Sequence, residues 1–500
     1  MKRSKHTLSN YRLLTCDMGK LIPVGMQEAL PGDTFQLSTS ALIRVSPLAA
    51  PVMHPVNVRI HHFFVPHRLV WDEWEDFITG GPDGRNASTP PTASINVGAD
   101  VKGTLWDYLG LPVNTQGTPG AISVSKLPIR GINMIWNEFY RDQDLQTERL
   151  EDDTTVPNIA WGKDYFTAAR PWTQKGAEVT LPLGTQAPVR TVANGVVSGP
   201  HSGISFLAVN GNLAPANNAL ALDSTGTAGV SGNNSTPGTQ IYPNNLIADL
   251  SAAGQVSIND FRRAFAIQRY QEARSRYGSR YTEYLRYLGV TPSDARLQRP
   301  EYLGGGTSRL NFSEVLQTAG DIPVDSNRET FGVGDLYGHG VSGLRHGRIR
   351  RFIEEHGYIH SFMSVRPKGI YMNGTHRTFL RRTKEDFFQR ELAHIGQQGI
   401  LQQEIMTGYS SSDAIFGYQD RYSEYKETPS LVAGEFRDIL NYWHMARDLP
   451  NGTQLNEDFV KCVPTKRIHN VQTTNALWVM VNNNVVARRM VPKGGSSFIL

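Results

Sequence analysis

Val56-Asn57-Val58-Arg59-Ile60-His61-His62-Phe63-Phe64-Val65 is the stretch that decides the fold class. Apolar Val56, Val58 and Ile60 alternate with polar Asn57, Arg59 and His61, the period of two that sends successive side chains to opposite faces of a strand. β-Branched and aromatic residues fill the run and Pro66 closes it. Working outward, Thr34-Phe35-Gln36-Leu37-Ser38 alternates in the same way. Far along the chain, Ala476-Leu477-Trp478-Val479-Met480-Val481 reads as a further strand, with Asn482-Asn483-Asn484 as a turn before Val485-Val486. Helices are fewer: Asn259 is placed to cap a helix over 261–277, and 72–78, 132–141 and 281–288 have helical spacing. Short strands far apart in sequence, with helices and long loops between them, predict a mainly β chain, a β-sandwich with elaborate connections.

Composition limits what such a sandwich can do. The 500 residues carry 50 Lys+Arg against 46 Asp+Glu, a net +4, which argues against a histone-like protein. Two cysteines, Cys16 and Cys462, cannot form a disulfide framework and point to a reducing compartment. Lys2, Arg3 and Lys5 make a basic start, but polar Thr7, Ser9, Asn10 and Arg12 follow where a signal peptide needs an apolar run. No stretch of apolar residues is long enough to predict a membrane span.

The charge is unevenly spread. The 71 residues of 191–261 hold no Lys or Arg, where about seven would be expected. They are rich in Gly, Ser, Thr and Asn, as in Ser231-Gly232-Asn233-Asn234-Ser235, and read as an ordered surface excursion. Beyond it, 341–384 has ten basic residues opposed only by Glu354 and Glu355, and 260–299 has nine Arg against four acids.

Catalytic signatures are missing: there is no Walker A sequence, GxSxG elbow, HExxH, CxxC or EF-hand loop. Ser123-Val124-Ser125-Lys126 fits SxxK without the SDN and KTG that should follow. His356 and His360 fall on a strand, where four residues span about 13 Å, so they read as polar positions on an exposed face and not as a zinc pair. The Gly-rich 303–308 lacks a GK[ST] ending and reads as a flexible connector before a helix at Ser313. Glu354-Glu355 and Asp152-Asp153 are sequence neighbours that face apart. The expectation is no enzyme, no cofactor and no metal.

One segment has binding character. Arg274, Arg276, Tyr277, Arg280 and Tyr281, continuing to Tyr284 and Tyr287, interleave rings with guanidinium groups. Bases stack on tyrosine while arginine meets phosphates, so single-stranded DNA is one reading. The same residues suit a helical hairpin or a subunit contact.

Longer phrases carry a resemblance. They are Leu21-Ile22-Pro23-Val24, Ala29-Leu30-Pro31-Gly32-Asp33-Thr34-Phe35, Phe63-Phe64-Val65-Pro66-His67-Arg68-Leu69-Val70-Trp71-Asp72-Glu73-Trp74, Ile135-Trp136-Asn137-Glu138-Phe139-Tyr140-Arg141-Asp142-Gln143-Asp144, Ser293-Asp294-Ala295-Arg296-Leu297-Gln298-Arg299-Pro300 and Phe416-Gly417-Tyr418-Gln419-Asp420-Arg421-Tyr422. In this order, the chain resembles the major capsid proteins of the microviruses, small tailless single-stranded DNA phages, and most of all their gokushovirus branch. The resemblance implies an eight-stranded viral jelly roll formed by 1–178 and 262–500, self-assembling into a T=1 icosahedral shell around circular single-stranded DNA. It implies that the insertion 179–261 protrudes at the three-fold axes, with Ser231, Gly232, Asn233, Asn234 and Ser235 as candidates for attachment to a host receptor. It also implies an internal scaffolding protein, a pilot or minor protein and a small basic DNA-binding protein as partners, with assembly in the bacterial cytoplasm and residence in the virion. Lys2, Arg3, Lys5, Arg274, Arg276, Tyr277, Arg280 and Tyr281 are the candidate DNA contacts. A non-viral single-stranded-DNA-binding protein using 262–287 is the rival reading.

Overall fold

The computed structural model describes residues 3–96, 101–111, 120–180, 258–316, 318, 336–408 and 414–493, with the backbone of short strands between 189 and 248. Contacts divide the chain into a larger unit, Met1–Lys175 with Glu272–Leu500, and a smaller one, Gly176–Gln271. In the smaller unit three antiparallel pairs are nested: Val189–Thr191 with Leu246–Ala248, Phe206–Ala208 with Ile241–Pro243, and Ala219–Leu222 with Ala228–Ser231.

The larger unit is built on ten strands: β1 Ser4–Thr7, β2 Asn10–Cys16, β3 Leu21–Ala29, β4 Thr34–Val45, β5 Val56–Pro66, β6 Glu301–Leu316, β7 Leu336–Arg345, β8 Ile349–Phe352, β9 Gly357–Pro367 and β10 Leu477–Arg489. Eight run in the hydrogen-bonded order β1-β10-β4-β7-β6-β5-β9-β3, with β2 also on β10 and β8 also on β4. Every pairing is antiparallel. The long β6 turns one sheet into two leaves: up to Leu310 it pairs with β5, and from Asn311 to Leu316 it pairs with β7. Val24, Val58, Ile60, Met363 and Val365 of one leaf share a buried cluster with Ile43, Leu344, Val479 and Val481 of the other. This is the β-sandwich expected from the alternating runs, in the jelly-roll form that the resemblance implies.

The deciding stretch becomes β5, a central strand between β6 and β9. Its alternation fades after Ile60 because both faces are covered. Val56, Val58 and Ile60 face the interior of the sandwich, whereas Phe63 and Val65 pack with Ile129, Ile132, Ile135 and Trp136 of a helical layer. That layer is α1, Leu127–Ile135, continued by a π-helical turn, Trp136–Tyr140. Pro128 stands in its first turn, where its missing N–H costs nothing, and Leu127, Ile129, Ile132 and Ile135 make the buried stripe. Gly131 lets the helix approach the sheet, since a Cβ there would lie 2.9 Å from His360 Nε2.

Four local expectations are corrected. Asn482–Asn484 is not a turn but the middle of β10, paired with Ser40, Thr39 and Ser38. The Gly-rich 303–308 is neither a connector nor the approach to a helix; it is a paired part of β6, and Ser313 lies in the same strand. A Cβ at Gly305 would lie 2.0 Å from the Ile60 carbonyl oxygen, so glycine here permits close pairing. His360 is on the predicted strand but fully buried, because α1 covers that face. The helix expected from 261 runs Ile258–Tyr277, so Asn259 lies inside its first turn and is not its cap.

Candidate nucleic-acid and assembly surfaces

The residues singled out from sequence fall into separate places. Lys2 and Gly232, Asn233, Asn234 and Ser235 lie outside the described residues, and Ser231 ends a short strand of the smaller unit. Arg3 is tied into its own subunit. It donates to the Gly32 carbonyl at 2.9 Å and to Thr34 Oγ1 at 3.3 Å, and lies 5.3 Å from the centre of the Phe352 ring. Lys5 is exposed on β1, directly across from exposed Arg488 of β10.

Register extends this pair into a face. Arg488 is opposite Thr34, Gln36 two residues on is opposite Arg350, and Ser40 is opposite Arg345. Residues paired directly or two apart along a strand share a side. Lys5, Arg488, Arg350, Arg345 and, farther along β4, Arg44 therefore stand on one surface. All five are exposed, and among the described residues none makes an ion pair. The same face carries an uncovered apolar group where β2, β10 and β4 meet: Tyr11 69%, Leu13 80%, Trp478 48%, Met480 41% and Leu42 38% exposed. Part of it walls an open hollow of about 1000 Å³ that Arg12, Arg44 and Tyr108 also line.

The Arg/Tyr segment lies on two helices, α2 Ile258–Tyr277 and α3 Tyr281–Tyr287. Tyr277 and Tyr281 are exposed, and the Tyr277 ring lies 4.4 Å from that of Tyr287 at 35°. Arg276 is exposed and 3.3 Å from Asp420. Arg274 is exposed on the same helix and has a partner of its own. Arg280 differs, since it turns inward and donates to the carbonyls of Asn137 and Arg141 at the end of the π-helical turn. Burial lowers its affinity for its proton, with Glu138 and Glu283 acting the other way. This segment thus brings Tyr277, Tyr281 and Arg276 to the surface and commits Arg280 to structure. Among the described residues no hydrogen bond, ion pair or ring contact joins it to Arg3 or Lys5.

The basic window 341–384 is likewise divided. Arg377 pairs at 2.8 Å with Glu404, and Arg377 and Arg381 lie 3.8 and 3.6 Å from Glu424. Both carboxylates are buried, and burial raises the Glu404 carboxyl above its usual range despite Arg377. These acids sit outside the window in sequence, so a local charge count could not see them. Nor could it see that Arg366, which it counts, lies diagonally across from Arg59, because only strand register brings the two together. Among the described residues no cluster of His, Cys, Asp and Glu is set to hold a metal, and no helix is long and apolar enough to cross a membrane.

Known proteins agree with this architecture. The family described as "Capsid protein (F protein)" matches residues 1–497. Capsid protein VP1 of Bdellovibrio phage phiMH2K is 34% identical over 482 residues, covering 92% of this chain and 88% of its own. Capsid protein VP1 of Chlamydia phage 1 is 30% identical, covering 92% and 89%. Capsid protein VP1 of Spiroplasma virus 4 is 30% identical, covering 98% and 94%. A jelly-roll sandwich with uncovered apolar and basic surface, matched along almost its whole length, belongs to the capsid protein family of the microviruses on its gokushovirus-like side, a structural protein of the virion and not an enzyme.

Proposed function

We propose that the chain assembles with copies of itself into a small T=1 icosahedral shell that encloses circular single-stranded DNA. The observation that carries this reading is the apolar group Tyr11, Leu13, Leu42, Trp478 and Met480, left open on the same sheet face as five exposed cations that make no ion pair among the described residues. A soluble monomer seldom exposes so much contiguous apolar surface, and assembly covers it. Modest contacts of this kind become a stable shell when symmetry repeats them. Lys5, Arg44, Arg345, Arg350 and Arg488 supply charge for phosphates without reading sequence, and exposed Tyr277 and Tyr281 offer rings for bases. The segment 191–261 is the part proposed to protrude at the three-fold axes and meet the host receptor, and a scaffolding protein, a pilot protein and a small basic protein are proposed partners.

Electron microscopy of the purified chain tests the reading. Uniform small icosahedra are expected, and Leu13→Ser with Trp478→Ser is expected to leave folded subunits and few particles. Monomers that persist under every condition of salt and pH would overturn it.

A further inference from the structure

The sheet face that α1 covers contains a second feature. Arg59 on β5 lies directly across from Ser364 of β9, and Arg366 follows two residues on, so the two arginines are diagonal neighbours on one side of the sheet. Both are partly buried. Among the described residues, Arg366 donates only a long 3.4 Å bond to the Ala160 carbonyl, and the buried Arg59 Nε has no partner. Among the described residues neither is paired with a carboxylate.

Three acids line the same cavity: Asp142 is paired with Lys163 and Arg170 and Asp144 with Arg170 and Lys175, while Glu283 accepts from the Arg280 backbone N–H and keeps its charge. Two like charges held side by side and partly removed from water are unfavourable unless an anion joins them. Burial first, and Arg59 second, weaken the hold of Arg366 on its proton. The same influences, burial and then Arg59 and Arg366, lower His61 to about 4.

Both arginines line a cavity of about 350 Å³. That is many times the roughly 30 Å³ of a water molecule, so it accepts more than a bare oxyanion. Its wall includes Tyr140, whose hydroxyl lies 2.7 Å from His61 Nδ1, and Trp161. A forked guanidinium pair matches the oxygens of a phosphate, and aromatic walls suit a sugar and base.

We propose that this cavity is a nucleotide site, in which Arg59 and Arg366 clamp the phosphate of one nucleotide unit and the ring wall at Tyr140 receives the rest. The proposal deepens the reading of the chain as a container for DNA and rests on it. It gives the shell protein a discrete place for one nucleotide in addition to an open basic face.

The test is titration of the purified full-length chain with thymidine 5′-monophosphate, inorganic phosphate and glutamate, followed by calorimetry. The nucleotide is expected to bind at least about tenfold more tightly than inorganic phosphate, and glutamate not measurably. Arg59→Met with Arg366→Met is expected to lose at least tenfold in nucleotide affinity. The unfolding temperature of that variant should stay level or rise, because it removes two adjacent, partly buried like charges. Should the variant fail to fold, the wild-type chain gives the readout, since a ligand bound only by the native state raises its unfolding temperature. No nucleotide binding by the wild type, equal affinity for inorganic phosphate, or undiminished binding by the variant would overturn the site. DNA-free particles alongside intact nucleotide binding would sink the container reading and still uphold the pocket.

Discussion

Hydrogen bonds in this sandwich decide which ring nitrogen of a buried histidine carries the hydrogen. His346 Nε2 accepts from the Thr39 backbone N–H at 2.9 Å and sits 2.8 Å from His62 Nε2, while His346 Nδ1 reaches the Gly347 carbonyl at 2.6 Å. Only one assignment satisfies all three: His346 carries its hydrogen on Nδ1, and His62 donates from Nε2 and accepts at Nδ1 from Ser361 Oγ, 2.7 Å away. His360 is buried with neither ring nitrogen partnered. Burial, more than any neighbour, lowers His62 and His360 to about 3 and His61 and His67 to about 4. Unfolded, each ring takes a proton near pH 6.5, so between about 6.5 and about 4 the unfolded chain binds more protons and stability falls with acid. Each ring contributes up to about 1.4 kcal/mol per pH unit in that window. Urea unfolding is expected to show a loss of stability from pH 7 to pH 5, and His360→Leu to reduce that slope by about one proton while costing little at pH 7. A pH-independent midpoint would contradict it.

At the scale of elements, β10 shows why the sequence misled at one place and informed at another. Asn482-Asn483-Asn484 has turn composition, yet Asn483 is buried and bonds in three directions. It donates to the Val24 carbonyl at 2.9 Å and to Asn10 Oδ1 at 3.3 Å, and accepts from Thr39 Oγ1 at 3.1 Å. Val24 and Asn483 lie on different leaves, so this amide joins the two halves of the sandwich. Asn483→Ala is expected to destabilise the chain by about 2–3 kcal/mol, because it strands buried partners, and a shift in the urea midpoint without a change in slope checks it. Tertiary partners decided the structure here, as they did for Gly305, whose meaning depends on Ile60 across the strand. Alternation was legible in Val56–Ile60 and Thr34–Ser38 because burial on one side imposes it within a few residues. The site was less legible: Arg59 with Arg366, and Arg377 with Glu404, are joined by register and packing over long separations, which spacing does not encode.

Over the whole molecule, a net charge of +4 looks too small for the proposed DNA container. Many cations are spent internally, as in Arg130 with Asp152, Arg170 with Asp142, and Arg377 with Glu404. Others make no ion pair among the described residues, and five of these, Lys5, Arg44, Arg345, Arg350 and Arg488, stand on one sheet face. If a shell of about 60 copies turned all five toward its cargo, it would present roughly 300 charges against a genome's thousands of phosphates. Such a shell needs other cations, which is the physical reason to expect a small basic protein, polyamines or divalent ions packed with the strand. The same count limits how the unassembled chain meets DNA. Five phosphate contacts to a single strand give a log–log salt slope of about −3.5. Binding of oligothymidylate by the dissociated subunit is therefore expected to be weak at physiological salt, with a slope no steeper than that. Lys5→Ala with Arg488→Ala should make the slope shallower by about 1.4. Fluorescence anisotropy across a salt series measures both. A much steeper slope would contradict the five-cation sheet face as the principal phosphate contact.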